Sequence, residues 1–286
     1  MQLVVAMDTL NSGVHFPPET APADIGWKAL AVNLSDLAAM GATPAWCTPV
    51  AVLPAPDAPW LDAFLDGFLR AGRQQHLVAP DRRRHHARSA LDLRHGASDV
   101  VPCGTALRRD GARDGDEVWI TGTPGDAAAA LAQWRVGAGV DHTLRARLDR
   151  PSPRLAARAR PAWPRDACID VSDGLLADLG HILRASGVGA SIEAASVAGL
   201  AGAGGGISRC DAARLRQLTG GDDYELCFTA SPEQGAAILA ALAACNTTAT
   251  RIGRIETVPG LRVVTPQGAA WSGTPAGWDH FARATP

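Results

Sequence analysis

Apolar positions recur along this chain with two periods, and the two alternate. "MQLVVAMDTL" (1–10) is an apolar, strand-like run at the very start. "APADIGWKALAVNLSDLAAMGA" (21–42) places Ile25, Leu30, Leu34, Leu37 and Ala38 at helical spacing, with Gly41 as the stop. "PAWCTPVAVLP" (44–54) predicts a strand. "APWLDAFLDGFLRAGRQQ" (58–75) predicts an amphipathic helix with Leu61, Phe64, Leu65 and Phe68 on one face. "HLV" (76–78) starts a further strand, and the basic stretch "PDRRRHHARSA" then breaks the pattern.

Beyond it, "DGARDGDEVWITG" gives a turn and a strand, and "GDAAAALAQW" a helix. "ACIDVSDGLLADLGHILRASG" gives a strand, a polar turn and a long helix. "GASIEA", "YELCFTA" and "LRVVTP" predict strands, and "SPEQGAAILAALAAC" a helix with Ser231 as N-cap. Strands and helices alternate in both halves. The fold class expected is α/β (α+β), with two subdomains of mixed β-sheet packed with helices. The boundary falls in the turn at 110–116, dividing the chain into 1–112 and 113–286.

Composition adds limits. The 286 residues carry 27 Lys+Arg against 29 Asp+Glu, so no overall charge favours nucleic acid or an anionic membrane. No apolar run reaches the roughly 18 residues a membrane span needs, and no signal peptide is visible. Six cysteines are scattered without a C-x-x-C pair, several inside apolar runs, which fits a reducing cytoplasm. A chain that opens on a sheet strand at residue 2 is expected to lack a preceding segment.

The candidate chemistry is carboxylate-rich. Asp8, Asp36, Asp170, Asp173, Asp222 and Asp223 stand at strand ends or turns. In "DVSDG" two aspartates three apart leave an apolar strand, and Gly174 turns the chain into a helix. Such hard oxygen donors suit Mg²⁺, which binds one or two carboxylates and completes its shell with phosphate and water. Ser172 and Asp173 equally suit helix N-capping, and the alternatives for Asp36, His15, His181 and Trp278 are surface or core positions.

"NLSDLAAMGATPAW", "TGTPGDAAAAL", "RPSPR", "DVSDGLLADLGHI", "GGDDYELCFT" and "GWDHF" occur in this order. Together they resemble the thiamine-monophosphate kinase family of the aminoimidazole-ribotide-synthetase-like (PurM-like) superfamily, over nearly the whole chain outside about 79–99. The resemblance implies PurM-like N- and C-terminal domains. It also implies ATP-dependent phosphorylation of thiamine monophosphate to thiamine diphosphate by direct in-line transfer with Mg²⁺, in a cytoplasmic homodimer whose N-terminal domains pair. By the same resemblance Asp8, Thr9, Asp36, Asp170 and Asp173 are metal ligands, Arg109 and Ser172 contact ATP, and His15, Asp222 and Trp278 contact the substrate.

The chain departs from the family in three places. The family has a Gly-Asp-Asp segment ahead of "MDT". It has a hydroxyl residue where Met7 stands. It has Gly-Gly-Asp-Thr-Thr-Arg-Gly, with a metal-binding aspartate, where this chain has "APDRRRHHAR". Codons for Arg82–Arg88 read one nucleotide later can spell Gly-Gly-Asp-Thr-Thr-Arg and the start of another Gly. Those for 89–92 allow Gly-Pro-Leu-Ser across the same shift. A frameshift over about 79–99, reversed before "VPCGTAL", is therefore expected, with "SALDLRHGASD" forming a polar loop in place of a strand. Losing two charge-stabilising contacts of roughly 2.7–4 kcal/mol each would slow turnover by about 10⁴–10⁶. Two alternatives to a working kinase stay open: a remnant that binds thiamine phosphates without transfer, and another enzyme of the superfamily. A basic nucleic-acid module has only the 82–88 cluster behind it.

Overall fold

The computed structural model describes residues 1–53, 55, 57–75, 84–87, 92–137, 139–158, 166–198, 211–265 and 270–271. The chain forms two compact units, Met1–Ala106 with Asp149–Ala159, and Leu107–Leu148 with Arg160–Pro286.

In the first unit, β1 (Gln2–Asn11), α1 (Pro22–Ala39), β2 (Trp46–Leu53), α2 (Ala58–Gln74), β3 (Arg84–Ala87) and β4 (Asp92–Val101) follow one another. The strands make one mixed sheet in the order β1-β4-β2-β3, with β2 and β3 parallel and the other pairs antiparallel. On β1 the even positions Val4, Ala6 and Leu10 are buried, while Leu3, Val5 and Met7 face outward and are 58%, 58% and 79% exposed. The buried face is covered by α1, which is apolar enough along its length to be enclosed by the sheet and α2. Where α1 and α2 cross, their backbones touch. A Cβ on Gly26 would lie 1.9 Å from the Phe64 carbonyl oxygen, and one on Gly67 1.7 Å from that of Ala23. Gly41, at φ 70°, ends α1 as its sequence predicts. The Ala42 N–H donates to the Leu37 carbonyl and the Gly41 N–H to that of Ala38. The "RPSPR" segment returns to this unit, where Trp27 Nε1 donates to the Pro151 carbonyl at 2.9 Å and Arg150 pairs with Asp24.

The polar loop expected over 89–99 is corrected by β4. Its backbone pairs residue for residue with β1 from Val101 to Asp92 and with β2 on its other side. Main-chain bonding to two partners makes a strand there without the alternation that a one-sided apolar face would require. The basic stretch likewise contains a short strand, β3, paired with Val50–Leu53. Residues 76–83 and 88–91 lie outside the described residues, including the strand expected at "HLV".

The second unit holds β5 (Glu117–Thr121), α3 (Asp126–Arg135), most of α4 (His142–Asp149), β6 (Ala167–Val171), α6 (Leu175–Ser186), β7 (Gly189–Glu193), α7 (Asp211–Thr219), β8 (Glu225–Ala230), α8 (Gly235–Ala243), β9 (Ala249–Glu256) and β10 (Gly260–Val264); the short α5 (Leu155–Arg158) belongs to the first unit. Six strands run in the order β10-β7-β9-β5-β8-β6, with only the β10–β7 pair parallel. One face packs Val118, Ile120, Ile169, Val171 and Ile252 against Leu175, Leu179 and Ile182 of α6. On β8, Phe228 stacks on Trp119 of β5 at 6.4 Å between ring centroids. Every residue of β6 and β8 is buried. Ser231 makes no side-chain cap: it precedes a 3₁₀ turn, Pro232–Gln234, which leads into α8. Because β6 and β8 are antiparallel, Val171 at the end of one faces Glu225 at the start of the other. The turns that follow β6 and precede β8 therefore lie together.

Candidate active site

The turn Ser172–Gly174 carries three of the residues singled out by sequence. β6 delivers it: Asp170 is 5% exposed, and Ser172 and Asp173 are half-buried. Gly174 takes φ 121°, and a Cβ there would meet the Thr219 carbonyl oxygen at 2.6 Å, so only glycine serves. The capping alternative for Ser172 and Asp173 is not what the helix uses. Gly174 is the N-cap of α6, and no side chain caps from that position. The carboxylate of Asp178, within α6, instead reaches back to the turn. Its Oδ2 accepts the N–H groups of Ser172, Asp173 and Gly174 at 3.0, 3.0 and 3.2 Å. Burial pushes the Asp178 carboxyl up to about 7. Asp170 and Asp173 add to the rise, and the bonds from the Asp173 and Ser172 N–H groups oppose it.

The second turn, "GGDDYEL", is bonded onto the first. The Asp222 N–H donates to the Ser172 carbonyl at 2.9 Å and the Tyr224 N–H to that of Val171 at 2.8 Å. Asp222 and Tyr224 both take positive φ, 68° and 51°, a conformation that non-glycine residues hold only where their surroundings enforce it. The Tyr224 hydroxyl donates to Asp222 Oδ1 at 3.0 Å, which fixes the carboxylate. Asp222 is thus held by main chain and side chain within one bond of Ser172.

Below these turns lies a buried ionic network. Arg147 Nη2 donates to Glu225 Oε1 at 2.5 Å, and its Nε lies 3.6 Å from Asp126 Oδ2. Thr121 Oγ1 donates to Glu225 Oε2 at 2.6 Å and accepts the Leu226 N–H at 2.8 Å. Asp223 Oδ2 accepts the Gly125 N–H at 2.8 Å. Burial drives the Asp223 carboxyl well above its usual range. The Gly125 bond opposes that rise, Glu225 adds to it, Arg147 opposes it, and Asp126 adds again.

Arg109 is exposed and is tied to α6 by its carbonyl, which accepts the Ser186 hydroxyl at 3.0 Å. It belongs to the same electrostatic neighbourhood as the turn. Burial lowers the His181 imidazole, Arg184 and Arg109 lower it further, and Asp173 opposes them.

The first unit holds the remaining candidates. Asp8 is half-buried on the face of β1 that α1 covers, and its Oδ1 accepts the Thr9 N–H at 2.6 Å. The unbroken register of β1 puts the Met7 and Thr9 side chains on the face opposite the Asp8 carboxylate. Asp36 is half-buried near the end of α1. His15 lies in the turn after β1. Its Nδ1 accepts the Asn11 N–H at 2.9 Å, which leaves Nε2 as the nitrogen that can carry a proton. Lys28, 1% exposed, donates to the His15 carbonyl at 2.8 Å. Trp278 lies outside the described residues.

Among the described residues no three carboxylates, imidazoles or thiolates converge to cage a metal. Asp170 and Asp173 on one short segment fit a different need. They offer a pair of hard donors for Mg²⁺, an ion that keeps much of its shell for phosphate and water.

Sequence reading missed Asp178, Tyr224, Lys28 and the Arg147 network. Asp178 had one visible signal, an acidic residue in the first turn of a helix behind a glycine. Tyr224 stands inside the "GGDDYELCFT" motif, but its bond to Asp222 depends on the positive φ of both residues.

Residues 1–78 match the family model of the N-terminal domain of AIR synthase related protein, and residues 113–265 match that of its C-terminal domain. The thiamine-monophosphate kinase of Salmonella typhimurium is 40% identical over 293 residues, covering 98% of this chain and 87% of its own. Among solved structures, the thiamine-monophosphate kinase of Stenotrophomonas maltophilia superposes with a TM-score of 0.86 at 47% identity, covering 94% of this chain and 86% of its own. AaThiL complexed with AMPPCP and TMP superposes with a TM-score of 0.83 at 28% identity, covering 98% and 87%.

Proposed function

Because the chain belongs to the thiamine-monophosphate kinases, we propose that it transfers the γ-phosphoryl group of ATP directly to the phosphate of thiamine monophosphate, giving thiamine diphosphate and ADP. The observation that carries this reading is the bond from the Asp222 N–H to the Ser172 carbonyl. It joins the residue assigned to the substrate to the residue assigned to ATP.

The acceptor is a phosphate that already carries most of two negative charges at neutral pH, so it attacks without a base. The difficulty is bringing two anions into line, and catalysis is then positioning and charge neutralisation. Mg²⁺, when bound, supplies that neutralisation. Asp170 and Asp173 would hold it in the second unit, and Asp8, Thr9 and Asp36 in the first. Ser172 and Arg109 contact the nucleotide. Asp222, oriented by Tyr224, and His15, oriented through Asn11 and Lys28, contact the substrate. Trp278 offers its ring to the cationic thiazolium, an attraction of about 0.5–2 kcal/mol.

The same reading includes a cytoplasmic homodimer. Leu3, Val5 and Met7 form an exposed apolar row on β1, an edge strand of its sheet, and Trp46 at the start of β2 is 43% exposed. A second copy would remove that row from water. No described helix is long and apolar enough to cross a membrane.

Turnover is proposed to be weak, because "RRRHHAR" stands where the family has Gly-Gly-Asp-Thr-Thr-Arg-Gly. This favours, as a second reading, a chain that binds thiamine monophosphate without transfer. Calorimetry with thiamine monophosphate, with and without Mg·ATP, combined with chromatographic detection of thiamine diphosphate, separates the two. Binding with product supports the kinase and binding without product the remnant. Neither binding nor product would overturn both.

A further inference from the structure

Ser172, Asp173 and Gly174 present three consecutive main-chain N–H groups at the start of α6. A turn of this kind, at the positive end of a helix, is a ready cradle for an anion, and a phosphate oxygen would be its natural occupant. In this chain the cradle is filled from within. One oxygen of Asp178 takes all three N–H groups, and the residue is 3% exposed. The turn has little room to re-form otherwise. Gly174 packs against the Thr219 carbonyl, and the Ser172 carbonyl is engaged by the Asp222 N–H.

Two consequences follow for an anionic ligand. The N–H groups are already used, so what remains to meet a phosphate is the Ser172 hydroxyl and the carboxylates of Asp170 and Asp173. Carboxylates repel phosphate unless a cation stands between them. The position of the turn also sets that of Asp222, since the two share a main-chain bond.

We infer that Asp178 is a positioning residue. It occupies the N–H cradle of the 172–174 turn, so that the turn receives the nucleotide through cation-bridged carboxylates rather than main-chain N–H groups, and it keeps Asp222 in register. The nucleotide part of this inference rests on the kinase reading above; the cradle itself does not.

The test uses the full chain and the variants Asp178→Ala and Asp178→Asn, with thermal unfolding to establish that each is folded. Two probes are titrated: AMPPCP at a series of Mg²⁺ concentrations, and formate, which has the size of the carboxylate that the alanine variant loses, followed by the thermal midpoint. Replacing an acceptor of three bonds is expected to weaken Mg²⁺-dependent AMPPCP binding by about tenfold or more in Asp178→Ala. Formate filling the opened cradle is expected to raise the thermal midpoint of Asp178→Ala and to restore part of its AMPPCP affinity, and to do neither in wild type. Asp178→Asn retains an acceptor oxygen of the same reach, so it should keep most of the AMPPCP affinity and not respond to formate. Asp178→Ala matching wild type with both probes would overturn the proposal; if the alanine variant does not fold, a folded Asp178→Asn that binds Mg·AMPPCP about tenfold or more weakly than wild type would do so instead. If wild type itself ignores Mg·AMPPCP, the kinase reading fails. The formate arm then decides the cradle alone, on whether formate stabilises Asp178→Ala and not wild type.

Discussion

Asp8 and Asp173 are both candidate metal ligands, and they are held in different ways. Asp8 stands on a strand, with a 2.6 Å bond to the N–H of its own neighbour. Asp173 stands on a turn whose three N–H groups are filled by Asp178, whose exit needs a glycine, and whose Ser172 carbonyl is tied to the turn before β8. Beneath that pair of turns lies the Arg147–Glu225–Asp126 network. The second unit thus preorganises its carboxylates with buried polar groups of its own. The first unit has a sheet with an apolar row facing water, a surface suited to completion by another chain. Geometry held by internal bonds should survive as long as its unit is folded, whereas geometry that depends on a covered face should depend on association.

The harshest way to break this contrast is Arg147→Ala. It leaves Glu225 and Asp126 buried without their cation, and should lower stability by about 3–5 kcal/mol in urea unfolding. A loss below about 1 kcal/mol would mean that the network does not support the second unit. Next is Val5→Lys, which places a charge in the apolar row of β1. Sedimentation should show a monomer in place of a dimer, while the thermal midpoint of dilute protein changes little. A dimer that persists would remove β1 from the interface. Tyr224→Phe deletes one hydroxyl from the turn before β8. Thiamine monophosphate affinity should fall about fivefold, the value of roughly 1 kcal/mol for one hydrogen bond, with AMPPCP affinity unchanged. Equal weakening of both ligands would mean that Tyr224 supports the turn and not the Asp222 carboxylate.

The smallest effect is a pH dependence. Burial raises the Asp223 carboxyl above its usual 3.8 in the folded chain. As pH climbs past that value, the unfolded chain releases a proton that the folded chain keeps, so wild type loses stability through this group until the folded carboxyl also ionises. Asparagine has no proton to lose and can still accept the Gly125 N–H. The stability of Asp223→Asn relative to wild type should therefore improve as pH rises from about 4 toward neutrality. A difference that stays flat across that range would contradict the raised carboxyl.

The sequence made legible those elements whose burial is one-sided or complete. β1, α2 and α6 show the expected period because each buries one face, and α1, β6 and β8 read as apolar runs because they are enclosed almost throughout. β9 escaped although it lies between β7 and β5, since Arg251, Gly253 and Arg254 interrupt its apolar positions. α7 carries Arg214 and Arg216 within a short polar run and shows no clear face. β4 was misread because main-chain pairing on both sides needs no side-chain pattern. In the site, the aspartates of "DVSDG" and "GGDDYEL" were legible as motifs. Asp178 and Tyr224 were not, because what they do depends on turns whose dihedral angles no spacing reveals. The arginines of 82–88 drew attention by composition, yet no role in the proposed chemistry rests on them.

The altered segment at 82–91, one of the three departures from the family, is proposed to weaken a thiamine-monophosphate kinase. Chromatographic measurement of thiamine diphosphate formed from thiamine monophosphate and Mg·ATP tests this. The chain would be compared with one carrying Gly-Gly-Asp-Thr-Thr-Arg-Gly-Pro-Leu-Ser in place of residues 82–91. Product is expected from the restored chain, with at least about 100-fold less from the chain as it stands, the loss expected for one charge-stabilising contact. Equal rates from the two chains, or no product from the restored one, would contradict it.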